Sequence, residues 1–225
     1  MDAEDHPMPG VGRWVELAAL YFVLPAALTA ARCLAWRHLP VIPVLWVVAL
    51  PASIWLARHG LGREELFGSV PRLREAPRLV LRAAILAVPL VVLMYFAFPE
   101  SFFALPRRNI VFWLVIMVCY PLLSVFPQGI IYRGFFLGRY GPLFSSPLAR
   151  RIVAALCFSF SHVFFLNAWA LALTFVGGLF FMRTYERTGS LFLANFEHAL
   201  YGDLLFTIGY GSLFLYHGTL ALVGT

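Results

Sequence analysis

Four stretches place chemically able side chains inside otherwise apolar sequence. They are Phe126-Pro127-Gln128-Gly129-Ile130-Ile131-Tyr132-Arg133, then Phe158-Ser159-Phe160-Ser161-His162, then Asn195-Phe196-Glu197-His198-Ala199-Leu200-Tyr201-Gly202-Asp203, and finally His217 alone. An imidazole relays a proton near neutral pH. A carboxylate such as Glu197 or Asp203 serves as base or counter-ion, and a guanidinium such as Arg133 brings a positive charge that is never given up. Ionisable groups within membrane-spanning sequence cost about 2.5–3.5 kcal/mol each on insertion scales, so each is a functional candidate.

The surrounding composition says that these groups do lie in membrane-spanning sequence. Of 225 residues, 61% are hydrophobic and only 12% are charged. A soluble domain carries roughly 25% charged residues, so this chain cannot solvate itself as a globule. That excludes a large soluble domain, a nucleic-acid-binding module and a secreted disulfide scaffold. The net charge of +6 comes from 17 basic residues, all Arg, which fall in short loops between apolar runs, where the positive-inside effect explains them better than nucleic acid does. Cys33, Cys119 and Cys157 have no CxxC spacing and read as small buried apolar residues. The acidic N-terminus is unlike a signal peptide, so the first apolar run is expected to remain as a span.

A helical span needs about 20 apolar residues. Eight apolar segments are expected, roughly at 14–35, 40–57, 79–98, 109–132, 152–166, 168–185, 190–207 and 211–223, of which the fifth, sixth and last are short for a full crossing. Helices are the form lipid permits, and no alternating barrel pattern appears. The expected fold is an all-α, polytopic membrane bundle of about eight transmembrane helices, a single integral-membrane domain over 1–225. With the N-terminus in the cytoplasm, 13 of the 17 Arg fall on the cytoplasmic side, so both termini are placed there. The stretch from Arg58 to Arg82 reads equally as a helix lying on that interface or as a solvated linker. Gly177-Gly178 reads as a close helix-packing spot.

Depth ties the polar stretches together. At 1.5 Å per residue, His162 lies roughly 15–18 Å from Arg150 and Arg151, and His198 about 12 Å from Ser190. Gln128 precedes Arg133, read as the cytoplasmic end of the fourth span, by a turn or so. Three clusters on three helices thus reach comparable depths, which points to one internal site. Read singly, the two histidines could be satisfied helix–helix hydrogen bonds. Arg133 could be a snorkelling residue at a span end, Gln128 an interhelical amide, and His217 a core or interface histidine.

From about Asn109 onward the order of these motifs resembles the CAAX prenyl protease and bacteriocin-processing (CPBP) family of intramembrane endopeptidases. That family's motifs read Glu-Glu-x-x-x-Arg, Phe-x-x-x-His, and His-x-x-x-Asn or a near variant. Here they correspond to Gln128-Gly129 with Arg133, Phe158 with His162, and His198 with Gly202; Tyr132-Arg133-Gly134-Phe135-Phe136 and Glu197-His198 add to the likeness. The resemblance implies peptide-bond hydrolysis near the cytoplasmic membrane face. It implies a membrane-associated peptide or protein substrate and zinc or another divalent metal held by His162 and His198. Asp203, about 100° round the helix from Gly202, is the candidate third ligand. Gln128 and Arg133 fall at catalytic positions, and Glu197 is the candidate replacement base.

The first motif departs from the family. Glutamine accepts no proton from water, and glycine has no side chain. Arg133 loses its neighbouring carboxylate, for which Glu197 or Asp203 could substitute as counter-ion. Two alternatives to a live enzyme follow: an inactive pseudoprotease that binds a membrane partner, or a small proton-coupled transporter subunit. The expected location is a bacterial inner membrane.

Overall fold

A computed structural model describes residues 10–34, 40–60, 62–67 and 70–213. Among the described residues, six helices are long and apolar enough to cross a membrane: α1 Val11–Leu34, α2 Val41–Arg58, α3 Ala76–Ala97, α4 Ile110–Leu143, α5 Pro147–Phe165 and α6 Ala168–Thr188. A seventh, α7 Leu191–Ile208, is 18 residues long. Its Asn195, Glu197, His198, Tyr201 and Asp203 make it less apolar than the other six. The chain is a helical membrane bundle, with no strand among the described residues. Seven of the eight expected segments are therefore helical. The eighth, 211–223, lies outside the described residues from 214 on, as does His217.

Short polar caps set the turns around the site. Asn109 accepts from the Phe112 N–H at 2.9 Å to start α4, and Ser146 and Ser190 cap α5 and α7. Leu166 in the left-handed region (φ 53°) and Asn167, which accepts from Trp169 and Ala170, make the tight α5–α6 turn. Such caps satisfy backbone donors that an open helix start leaves unpaired. Gly189, with φ +59°, ends α6, a backbone state that glycine adopts without penalty.

The fourth helix departs most from expectation. It does not stop at Tyr132 but continues to Leu143, so Arg133 is interior to a helix and cannot snorkel from a span end. Pro121–Val125 and Ile130–Tyr140 are wound as π-helix, whose wider turns occur often at functional sites. Residues 127–134 are buried without interruption, so this stretch is enclosed on all sides. Small residues permit that enclosure: Gly134 packs against Leu56 and Leu191, and Gly138 against Trp55. Around them Tyr21, Phe136, Tyr140, Phe158 and Phe181 build the main core.

The Arg58–Arg82 stretch contains two short helices, Arg63–Phe67 and Val70–Leu73, before α3 begins. Arg82 is no loop charge; it sits inside α3. Among the cysteines, only Cys157 is buried; Cys33 is exposed and Cys119 half-buried. Ion pairs tie α1 to α4 (Glu16–Arg139, 2.8 Å) and α5 to α6 (Glu186 with Arg150 at 2.9 Å and Arg151 at 2.8 Å).

The expected packing spot is present at Gly178. A Cβ there would meet Ala155 Cα at 3.0 Å and Phe158 at 3.2 Å. Backbone cannot give way as a flexible side chain can, so Gly178→Ala is expected to destabilise by about 1–3 kcal/mol. Thermal melting of the solubilised protein measures this; an unchanged melting temperature would show that α5 and α6 are not so closely apposed.

Candidate active site

Arg133 is the centre of the polar cluster. The enclosed part of α4 carries it, and it is 2% exposed. Its Nη1 donates to Asn195 Oδ1 at 3.3 Å, and its Nη2 to His198 Nδ1 at 3.3 Å. The guanidinium also lies over the rings of Phe158 (5.2 Å) and Phe181 (4.8 Å), one from α5 and one from α6. Cation–π attraction is strongest when desolvated, as here. Among the described residues no carboxylate forms an ion pair with it.

His198 is 5% exposed and stacks on Phe181, ring centres 4.7 Å apart. Its Nε2 lies 3.1 Å from the Tyr120 hydroxyl. A guanidinium only donates, so Nδ1 of His198 must carry the lone pair. The ring proton is therefore on Nε2 and is donated to the Tyr120 oxygen.

His162 sits one turn beyond Phe158, at the end of α5. Its ring and that of His198 both meet Phe158 edge-on, at 4.8 and 5.2 Å. The Phe158 carbonyl lies 2.8 Å from His162 Nδ1. A carbonyl only accepts, so Nδ1 carries the hydrogen, and in the neutral ring Nε2 carries the lone pair.

The other expected site residues divide. Gln128, 8% exposed, donates from Nε2 to Ser124 Oγ at 2.8 Å, while its buried Oε1 has no hydrogen-bond partner among the described residues. Glu197 is fully buried but belongs to a different cluster. Its carboxylate forms an ion pair with Arg82 and accepts from Thr184 (2.6 Å) and Tyr201 (2.8 Å). It is therefore not the counter-ion of Arg133. Asp203 supplies no counter-ion either, and its buried Oδ1 makes no hydrogen bond among the described residues.

His162, His198, Gln128, Tyr120 and Gly202 line one cavity of about 990 Å³, at the top of the range for small-molecule pockets. Its remaining walls are mostly apolar, drawn from all seven helices; Leu24, Leu45, Leu90 and Ile116 are examples. The site is a polar end on an otherwise apolar chamber.

A divalent metal does not fit these residues as they are arranged. The His198 lone pair is already given to Arg133, and that guanidinium places a cation where a metal would need electron pairs. Among the described residues no three His, Cys, Asp or Glu side chains gather into a ligand set, so the expected trio of His162, His198 and Asp203 is not assembled.

Two residues absent from the expected set complete the cluster. Asn195 fills the space at Gly129, where a Cβ would overlap its amide. Tyr120 fills the space at Gly202, where a Cβ would overlap its ring and hydroxyl. Asn195 could have been suspected, because it lies three residues before His198 and so shares its helix face. Tyr120 closes a purely apolar run and gives no comparable signal.

Bundle and cluster together define a polytopic membrane protein whose polar groups converge inside the spans. Residues 109–202 match the family model described as Type II CAAX prenyl endopeptidase Rce1-like. No curated protein and no solved structure matches the chain.

Proposed function

We propose that this chain is an intramembrane peptidase of the CAAX protease type that uses an imidazole, in place of the missing carboxylates, as its proton acceptor. A membrane-associated peptide enters the chamber near the cytoplasmic face, with its scissile carbonyl toward Tyr120 and His198. Water adds to the carbonyl carbon as its proton passes to Nε2 of His162. The same proton then goes to the departing amine as the C–N bond breaks. Arg133, held in a water-poor setting, supplies positive potential for the oxyanion, where such a field acts far more strongly than in water. The observation that carries this reading is that His162 and His198 open onto one cavity, the first with a lone pair on Nε2.

A second reading, a protein of the same fold that holds a membrane peptide without cutting it, is favoured by one observation. The place of a carboxylate at 129 is occupied by the Asn195 amide. One experiment separates the two. The purified full chain in lipid nanodiscs is incubated with a pool of synthetic membrane-anchored peptides, and products are read by mass spectrometry. The peptidase reading expects cleavage that falls about 10²–10⁴-fold in His162→Gln, the usual contribution of a positioned acid–base group. Undiminished cleavage in that variant sinks it. Peptides bound but uncut by the natural sequence establish the second reading.

A further inference from the structure

We infer that Tyr120 is a functional residue of this site: the outermost donor of a directed hydrogen-bond relay that begins at Arg133. The direction follows from donor chemistry. Arg133 can only give hydrogens, so Nη2 donates to His198 Nδ1 across 3.3 Å. That leaves the ring proton on Nε2, which faces the Tyr120 oxygen across 3.1 Å. The phenol accepts there, and its own hydrogen must turn elsewhere. Tyr120 lines the cavity, so the hydroxyl is placed to donate to an acceptor held in it. Each link polarises the next, and the first carries a full charge.

The packing shows that the residue is seated for this task. A side chain at position 202 would collide with the Tyr120 ring and hydroxyl. Gly202 therefore makes room for a group delivered from α4, not from α7. The ring is further fixed by an edge contact with Phe206, centres 5.2 Å apart, and by its edge contact with His198 at 6.0 Å. The relay deepens the peptidase reading by naming the group that meets the peptide carbonyl, and as a donor to that oxygen it rests on that reading. The relay itself does not.

The test uses the full chain with ¹⁵N-labelled histidine, solubilised in micelles, and compares the natural sequence with Tyr120→Phe. The phenylalanine keeps the ring beside Gly202 and removes only the hydroxyl. His198→Gln assigns the resonances. The relay expects His198 protonated on Nε2 alone. It also expects the Nε2 signal to shift in Tyr120→Phe while the Nδ1 signal and both His162 signals stay in place. A His198 protonated on Nδ1, or an Nε2 signal that ignores the loss of the hydroxyl, overturns the relay. A second variant guards against a trivial packing effect. Gly202→Asn should melt several degrees lower, and Gly202→Asn with Tyr120→Ala should regain most of that loss; additive losses would show that the two positions do not share a volume.

On the peptide pool, Tyr120→Phe should lower kcat about 10²-fold with KM unchanged, the signature of a donor used in the transition state. A change in KM alone overturns the donor role. Relay signals as expected, together with a natural sequence that cuts nothing, would remove the peptidase reading and leave the relay standing.

Discussion

Glu197→Ala should destabilise the protein by about 3–5 kcal/mol, the usual penalty for removing one partner of a buried ion pair. In a chain of this length that lowers the melting temperature by about 10 °C. The carboxylate has no exposure to solvent, and three donors from three helices converge on it: Arg82 of α3, Thr184 of α6 and Tyr201 of α7 itself. Arg82 also donates to Thr184 at 2.8 Å and lies over the Phe180 ring at 5.1 Å. Deleting the acid would leave the half-buried Arg82 guanidinium without its counter-ion and take the shared acceptor from two hydroxyls. The Arg82 Nε is already buried without a partner among the described residues, so little slack remains. Removing both charges together, in Arg82→Met with Glu197→Leu, should recover most of the loss, because no unpaired charge is then left behind. The same residue decides between two roles. Glu197→Gln in a general base abolishes turnover and spares the fold; in the arrangement seen here it lowers the melting temperature and leaves kcat nearly unchanged. Melting curves and initial rates on the same preparations separate these outcomes.

That contrast also marks what the sequence could reveal. Length and apolar composition are local properties, and they announced the seven helices. Comparable depth on three helices likewise anticipated that Arg133 and His198 would meet. Rotation about a helix axis is not local. Glu197 and His198 are neighbours in sequence yet point into different clusters, because successive helical residues lie about 100° apart. Arg82 looked like one more basic residue near a loop, since nothing in its neighbours announces a buried acid on another helix. The end of α4 was misplaced for a related reason. Arg133 reads as a span terminus, and it is the acceptors on Asn195 and His198, with the Phe158 and Phe181 faces, that make a mid-helix position tolerable. The glycines at motif positions mean not only missing chemistry but space for a different side chain, and which side chain fills it, Asn195 at Gly129 and Tyr120 at Gly202, is visible only once the helices are packed.

That shared space yields the largest expected effect on activity. Gly129→Glu alone places a side chain where the Asn195 amide already lies, so it should lose about 1–3 kcal/mol of stability to overpacking and gain little or no turnover. Gly129→Glu combined with Asn195→Ala removes the overlap. The new carboxylate then enters at the position from which Asn195 Oδ1 now accepts from Arg133, and it gives that guanidinium the counter-ion it lacks. The double variant should therefore be more stable than Gly129→Glu by about 1–3 kcal/mol. The two changes should be strongly non-additive, as neighbours sharing one volume are. It should also cleave membrane-anchored peptides about 10²–10⁴-fold faster than the natural sequence, because a carboxylate able to accept a proton from water has been restored beside the cationic centre. If the chain is a binder that does not cut, the double variant is where cleavage should first appear. Additive stability changes, or a double variant no faster than the natural sequence, would refute the view that Asn195 stands in the place of a lost carboxylate.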